Sequence, residues 1–238
     1  MIVILTLCAA LAAPPPEATE LSEELAGVYI EAMASIKSGD HQKVSDLLGR
    51  VNDGAPNFDD AFRNRCAAER FLGNGAEARR LCERAVEIDG YWVNHAALVR
   101  DALSGQEYPL AKEYANAALQ VHPEQHELLR LLGDAAMRDR DYRTLEKTVT
   151  RFDEAHGDDA WGEFYRFVLH NAHCDTDSAR ASLEKSLQLG LPEQGRRMLA
   201  RIQPPTSCER NYTVFAAVGG VSVVLLLAIG MFMWRRSR

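Results

Sequence analysis

Alternating runs of Val, Ile and Thr are missing from this sequence, and with them the pattern of a half-buried strand. There is no Gly-rich phosphate loop and no nucleophile motif, so neither nucleotide-dependent nor nucleophilic chemistry has residues to work with. An enzyme is not expected, nor is a cofactor. An excess of positive charge is also lacking. The formal net charge is -7 over 238 residues, which disfavours phosphate backbones and excludes nucleic acid as a ligand. Proline is confined to a few spots between residues 17 and 203, where Ala, Leu, Glu and Arg dominate. Helix is the state that remains.

What is present is a period. Small or apolar residues recur at Val44, Ala78, Ala111, Leu145 and Ala179, with gaps of 34, 33, 34 and 34. Four residues after each stand Leu48, Cys82, Ala115, Val149 and Leu183; three further on stand Val51, Ala85, Ala118, Phe152 and Ser186. Each unit closes near a helix breaker at Pro56, Gly90, Pro123, Gly157 or Pro192. An inner turn precedes each marker: SGDH at 38–41, GNGA at 73–76, GQEY at 105–108, DRDY at 139–142 and CDTD at 174–177. A unit is therefore two antiparallel helices that cannot bury their apolar faces alone and must stack.

The stretches LLRLLGDAAMRDRDYRTLEKTVTRF (128–152) and YPLAKEYANAALQVHP (108–123) carry the clearest resemblance to tetratricopeptide repeats, which extends over about residues 25–192. Ala32, Cys66, Val99, Leu132-Gly133 and Phe167 hold the close-packed spot of the first helices; Phe167 departs from the small residue expected there. The resemblance implies an all-α, helical-repeat solenoid of about five helix-turn-helix units. It also implies a concave surface lined by first helices, which holds an extended peptide or a partner's helix. The Lys and Asn pattern by which chaperone-binding members clamp a terminal carboxylate is not matched. After Pro192, EQGRRMLARIQ places Met198, Leu199 and Ile202 on one side and Arg196, Arg197 and Arg201 on the other, the pattern of a capping helix.

First-helix residues not needed for packing are the candidate partner contacts: Arg63, Asn64, Arg70, Arg100, Arg130 and Arg138, with Trp161 and Phe164 in the last unit. The arginines suit a partner bearing carboxylates, or else form internal pairs with neighbours such as Asp60, Glu127 and Asp134. Trp161, Phe164 and Phe167 read as an aromatic anchor or, by their spacing of three, as a packed helix face.

The ends give a topology. Residues 1–12 read as a signal peptide ending at Ala10-Leu11-Ala12, although its n-region carries no Lys or Arg, and 13–24 as a Pro-rich segment. The solenoid occupies 25–203 and a juxtamembrane linker 204–213. Residues 214–234 are uncharged and long enough to span a bilayer, with Tyr212 and Trp234 flanking, and Arg235, Arg236 and Arg238 follow in a basic tail. The repeat domain is thus expected outside a bacterial cytoplasmic membrane; the rival topology is a cytosolic, tail-anchored adaptor. Ala216 and Gly220 make a small-x-x-x-small pair suited to a homodimer through the span.

Removal of Cys8 with the leader leaves Cys66, Cys82, Cys174 and Cys208, an even number for an oxidising compartment. A Cys174–Cys208 bridge is expected from the return of the capping helix. Cys66 and Cys82 face each other within one repeat, where they either pair or serve as small buried hydrophobes. The run HNAHCDTD offers His170, His173, Cys174, Asp175 and Asp177 as zinc-type ligands, but with no second half elsewhere it reads as a helix turn with Thr176 or Asp177 as cap. No metal site is expected.

Overall fold

A computed structural model describes residues 21–199 and residue 202. Eleven helices and no strand occur among the described residues: α1 (Glu23–Ser38), α2 (His41–Gly54), α3 (Asp59–Phe71), α4 (Gly75–Ile88), α5 (Trp92–Ser104), α6 (Tyr108–Val121), α7 (His126–Arg138), α8 (Tyr142–His156), α9 (Ala160–Ala172), α10 (Thr176–Gln188) and α11 (Glu193–Leu199). The first ten form five pairs whose gaps fall on the five inner turns and whose ends fall on the predicted breakers. The chain divides into two compact units, one up to Ala135 and one from Ala136 onward.

Three of the five second helices, α2, α8 and α10, start where an Asp can accept from a free amide of the first turn. Asp40 caps Lys43 N at 3.1 Å, Asp141 caps Thr144 N at 3.1 Å and Asp175 caps Ser178 N at 3.2 Å. The cap of α10 is therefore Asp175, one residue before the expected Thr176 or Asp177. An Asp immediately after the corner of the turn reaches the third amide of the helix, whereas the next two residues already lie in the helix.

Each inner turn contains one residue in the left-handed region, at Gly39, Gly73, Gln106, Arg140 and Cys174. The two glycines adopt φ of 76° and 85° without a Cβ clash; Gln106, Arg140 and Cys174 adopt 60°, 56° and 63° with one.

In the first unit the repeat markers form the core. Val28, Ala32, Val44, Leu48, Val51 and Ala61 make one buried cluster, and Cys66, Ala78, Leu81, Cys82, Ala85 and Leu98 another. Small side chains let the backbones approach, while each large one removed from water contributes about 1.5–3 kcal/mol. In the second unit Leu145, Val149, Phe152 and Ala179 are buried as expected, whereas Leu183 is only half-buried. Ser182 and Ser186 are buried on that helix instead, and Ser186 Oγ donates to Ala160 O at 2.8 Å. Phe167 is half-buried: a ring too large for the close-packed spot leaves the burial on α9 to Phe164, Tyr165 and Val168.

The capping helix is described over Glu193–Leu199; Met198 and Leu199 are half-buried, Gly195 is buried, and the expected Arg201 lies outside the described residues. A Cβ there would lie 2.7 Å from Leu191 Cδ1, so α11 sits close against Leu191 at this residue.

Among the described residues no helix is long and apolar enough to cross a membrane. The expected signal peptide, most of the Pro-rich segment, the linker, the span with Ala216 and Gly220, the basic tail and Cys208 lie outside the described residues.

Candidate functional site

In the first unit α3 and α5 enclose a groove of about 610 Å³. It is lined by Arg63, Asn64, Ala67, Arg70 and Phe71 from α3, and by Val93, Ala97, Arg100, Asp101 and Ser104 from α5. Cys66 and Cys82 complete the lining, 5.4 Å apart at Cα and joined by a disulfide. Both are buried, at 2% and 0% exposure, so the sequence's two readings of this pair, bonded and core, are both realised. The bridge ties α3 to α4 beneath the groove.

Four of the predicted contact residues, Arg63, Asn64, Arg70 and Arg100, are thus gathered on one surface. Their polar groups are turned largely into the protein. Arg63 Nη1 donates to Asn94 Oδ1 at 2.8 Å, and the guanidinium pairs with Asp59 and Asp60. Asn94 has no exposed surface and its Nδ2 donates to Asp59 Oδ2, Ala85 O and Asp89 O, joining α3, the end of α4 and α5.

Arg70 Nε donates to Asp101 Oδ1 at 2.7 Å. Asp101 is 1% exposed as a side chain and also faces Arg79 Nε at 3.6 Å. Arg79 in turn donates to Glu107 at 2.8 Å, which raises the arginine's pKa and holds the carboxyl below its ordinary range. Arg100 Nη2 donates to Glu127 Oε1 at 2.6 Å, and Arg130 grips the same carboxylate through Nε and Nη2. Burial pushes the Glu127 carboxyl up, but the hydrogen bonds and charges of Arg130 and Arg100 outweigh it and hold the pKa below its usual value. Asn64 Nδ2 donates to Asp60 O at 2.8 Å and to Tyr29 OH at 3.3 Å.

The remaining candidates are not part of this surface. Arg130 is buried, with Nη1 on Asp134 at 2.7 Å. Trp161 and Phe164 lie inside the second unit, at 4% and 0% exposure, in an edge-to-face contact with centroids 5.6 Å apart. They form a packed face with Tyr165 and Phe152, so of the two readings of these rings the packed helix face is the one realised, and they are not partner contacts. Arg138 is exposed and lines a separate cavity of about 430 Å³ with Glu193, Gln194, Arg197 and Met198.

At the last inner turn His170 Nδ1 faces Asp175 Oδ2 at 3.5 Å and His173 caps the end of α9. Hydrogen bonds from Ser178 keep the Asp175 carboxyl below its usual range. Cys174 is disulfide-bonded. Among the described residues no three His, Cys, Asp or Glu side chains are grouped to hold a metal ion.

Sequence reasoning missed Ala67, Phe71, Val93, Ala97, Asp101 and Ser104. The period applied to the first helices finds four of them: Asn64 and Ala97, Ala67 and Arg100, and Phe71 and Ser104 are each 33 residues apart and line the same groove. Phe71 is 73% exposed and lies flat on His41, with ring centroids at 4.2 Å and planes within 4°.

No protein-family model matches the chain, and neither does any curated protein. Solved structures do. A tetratricopeptide-repeat protein from Parabacteroides merdae superposes with a TM-score of 0.61 at 14% identity, over 74% of this chain and 72% of that one. MamA of Desulfovibrio magneticus RS-1 gives 0.59 at 13% identity, over 71% and 97%. YrrB, described as a TPR protein with an unusual peptide-binding site, gives 0.53 at 11% identity, over 74% and 91%. The fold of this chain is that of the tetratricopeptide repeats, as the period and the helix pairs imply.

Proposed function

We propose that this chain is a membrane-anchored adaptor that binds a protein or peptide partner through the α3/α5 groove of its first unit. The groove itself carries the reading: an open channel between two first helices, of a size that takes a ligand's side chains, on a fold with no grouped catalytic residues on that surface. That YrrB, of the same fold, has a peptide-binding site supports the same use here. Anchoring rests on the uncharged stretch 214–234 and the arginines after it. An extracytoplasmic repeat domain is favoured over a cytosolic one by the Cys66–Cys82 bridge, since such bonds persist in oxidising compartments.

A photo-reactive amino acid placed at Ala67, in the groove, should cross-link one partner in cells that express the full chain. The same group at Glu87, exposed on α4, should not. Equal labelling from both positions would remove the groove from the function.

A further inference from the structure

The groove has two kinds of wall, and only one of them is unused. Its guanidinium groups already meet carboxylates: Arg63 meets Asp59 and Asp60, Arg70 shares Asp101 with Arg79, and Arg100 shares Glu127 with Arg130. Arg79 and Arg130 have Glu107 and Asp134 as further partners, so carboxylates at least match guanidiniums around the groove. An acidic ligand would have to displace an internal carboxylate from its arginines and would leave it facing like charge. A basic ligand gains no unpaired carboxylate within the lining, because Asp101 is enclosed between two arginines.

The apolar wall is different. Ala67 and Ala97 are one helical turn from arginines on their own helices and end at Cβ, which leaves a notch between them. The Cys66–Cys82 bridge lines the same hollow, and Val93 flanks it. At the rim Phe71 is held against His41 yet keeps 73% of its surface in water, the largest exposure of any big apolar residue described. A ring already fixed by stacking loses little freedom when a second apolar group covers it, so its burial is available as binding energy.

We propose, resting on the groove reading above, that the site selects a near-neutral segment that inserts one bulky apolar side chain into the Ala67/Ala97 notch against Phe71. Its specificity is for an aromatic or branched aliphatic anchor, and charge on the ligand contributes little. The carboxylate-bearing partner that the arginines suggest in the sequence is replaced by this one, because those arginines hold first helices together.

The test is selection of a displayed random heptapeptide library on the full chain in detergent, followed by affinity measurements on the recovered peptides. Recovered sequences should share an aromatic, Leu or Ile residue and carry little net charge. Raising salt from about 0.15 M to about 0.5 M should change their Kd by less than about twofold, since screening acts on charge pairs. Phe71→Ser, at an exposed position, should weaken binding by about tenfold or more, as loss of an aromatic anchor does. Arg100→Gln should change it by less than about threefold, the size of an exposed ion pair. Acidic sequences, strong salt dependence or indifference to Phe71→Ser would overturn this inference while leaving the groove as a peptide site. Recovery of no sequence above a support without protein would overturn both.

Discussion

At the scale of single residues, the corners of the inner turns are the positions most at odds with their side chains. Gln106 sits at φ 60°, where a Cβ is strained, while the equivalent Gly73 is not. Gln106→Gly should therefore raise stability, by about 1 kcal/mol, even though glycine in an ordinary position lowers it. A shift of the urea midpoint upward checks this; a shift downward would show that the Gln106 side chain contributes more than its backbone strain costs.

His95 gives a second test at this scale. Burial depresses its pKa first and the neighbouring His122 adds to the depression, while a hydrogen bond to Gly90 opposes them. His122 Nε2 lies 2.9 Å from Gly90 O, so two imidazoles meet at one carbonyl at the entry to α5. The unfolded chain, with His95 near its ordinary value of 6.5, binds more protons below that pH than the folded one. Stability contributed by neutral His95 is thus present above about pH 6.5 and is lost as the pH falls through the depressed folded value. Denaturation midpoints measured between about pH 7.5 and 5 should fall in the natural protein and fall less in His95→Gln.

At the scale of elements, the pairing of helices was legible because it repeats, and the groove was not because its chemistry depends on register between units. Val44, Ala78, Ala111, Leu145 and Ala179 announce the second helices by recurrence alone, and each is buried. Arg70 carries no such mark. That it reaches Asp101, 31 residues on, follows only when α3 and α5 lie side by side. Phe71 carries no mark in the sequence either, and its stacking on His41 follows only from the fold. Trp161 left two readings open, since a ring on a first helix looks the same in the sequence whether it faces solvent or core, and its burial decides for core.

The covalent tie between α3 and α4 carries the prediction at this level. It closes a loop between cysteines 16 residues apart, which restricts the unfolded chain by about 3 kcal/mol in the loop-entropy account. Replacing both Cys66 and Cys82 by Ala should lower stability by about that amount, and reductant should then have no further effect through this pair. Unchanged melting of the double variant would mean that the pair is not bonded in solution.

For the whole molecule, the compartment is the property that the chain's two kinds of signal address together. Alkylation of free thiols before reduction, followed by intact-mass measurement on protein extracted from membranes, reads both. Cys66 and Cys82 should escape alkylation, and the mass should lack the residues up to Ala12. A full-length mass with five modified cysteines would place the repeats in a reducing compartment and favour the tail-anchored alternative.

The left-handed corners have one more consequence for the molecule as a whole. Gly39, Gly73, Gln106, Arg140 and Cys174 return the backbone to one conformation every 33 or 34 residues, whatever side chain stands there. The chain is thereby divisible: joining the sequence before one corner to the sequence after the next deletes a full helix pair and re-enters the following helix in the same orientation. Shortening or lengthening by whole units is a change the backbone can absorb, while loss of a single residue between corners is not. A lineage carrying this chain can vary its length in steps of one helix pair, and a cut-and-join between Gly39 and Gly73 would make a relative one pair shorter.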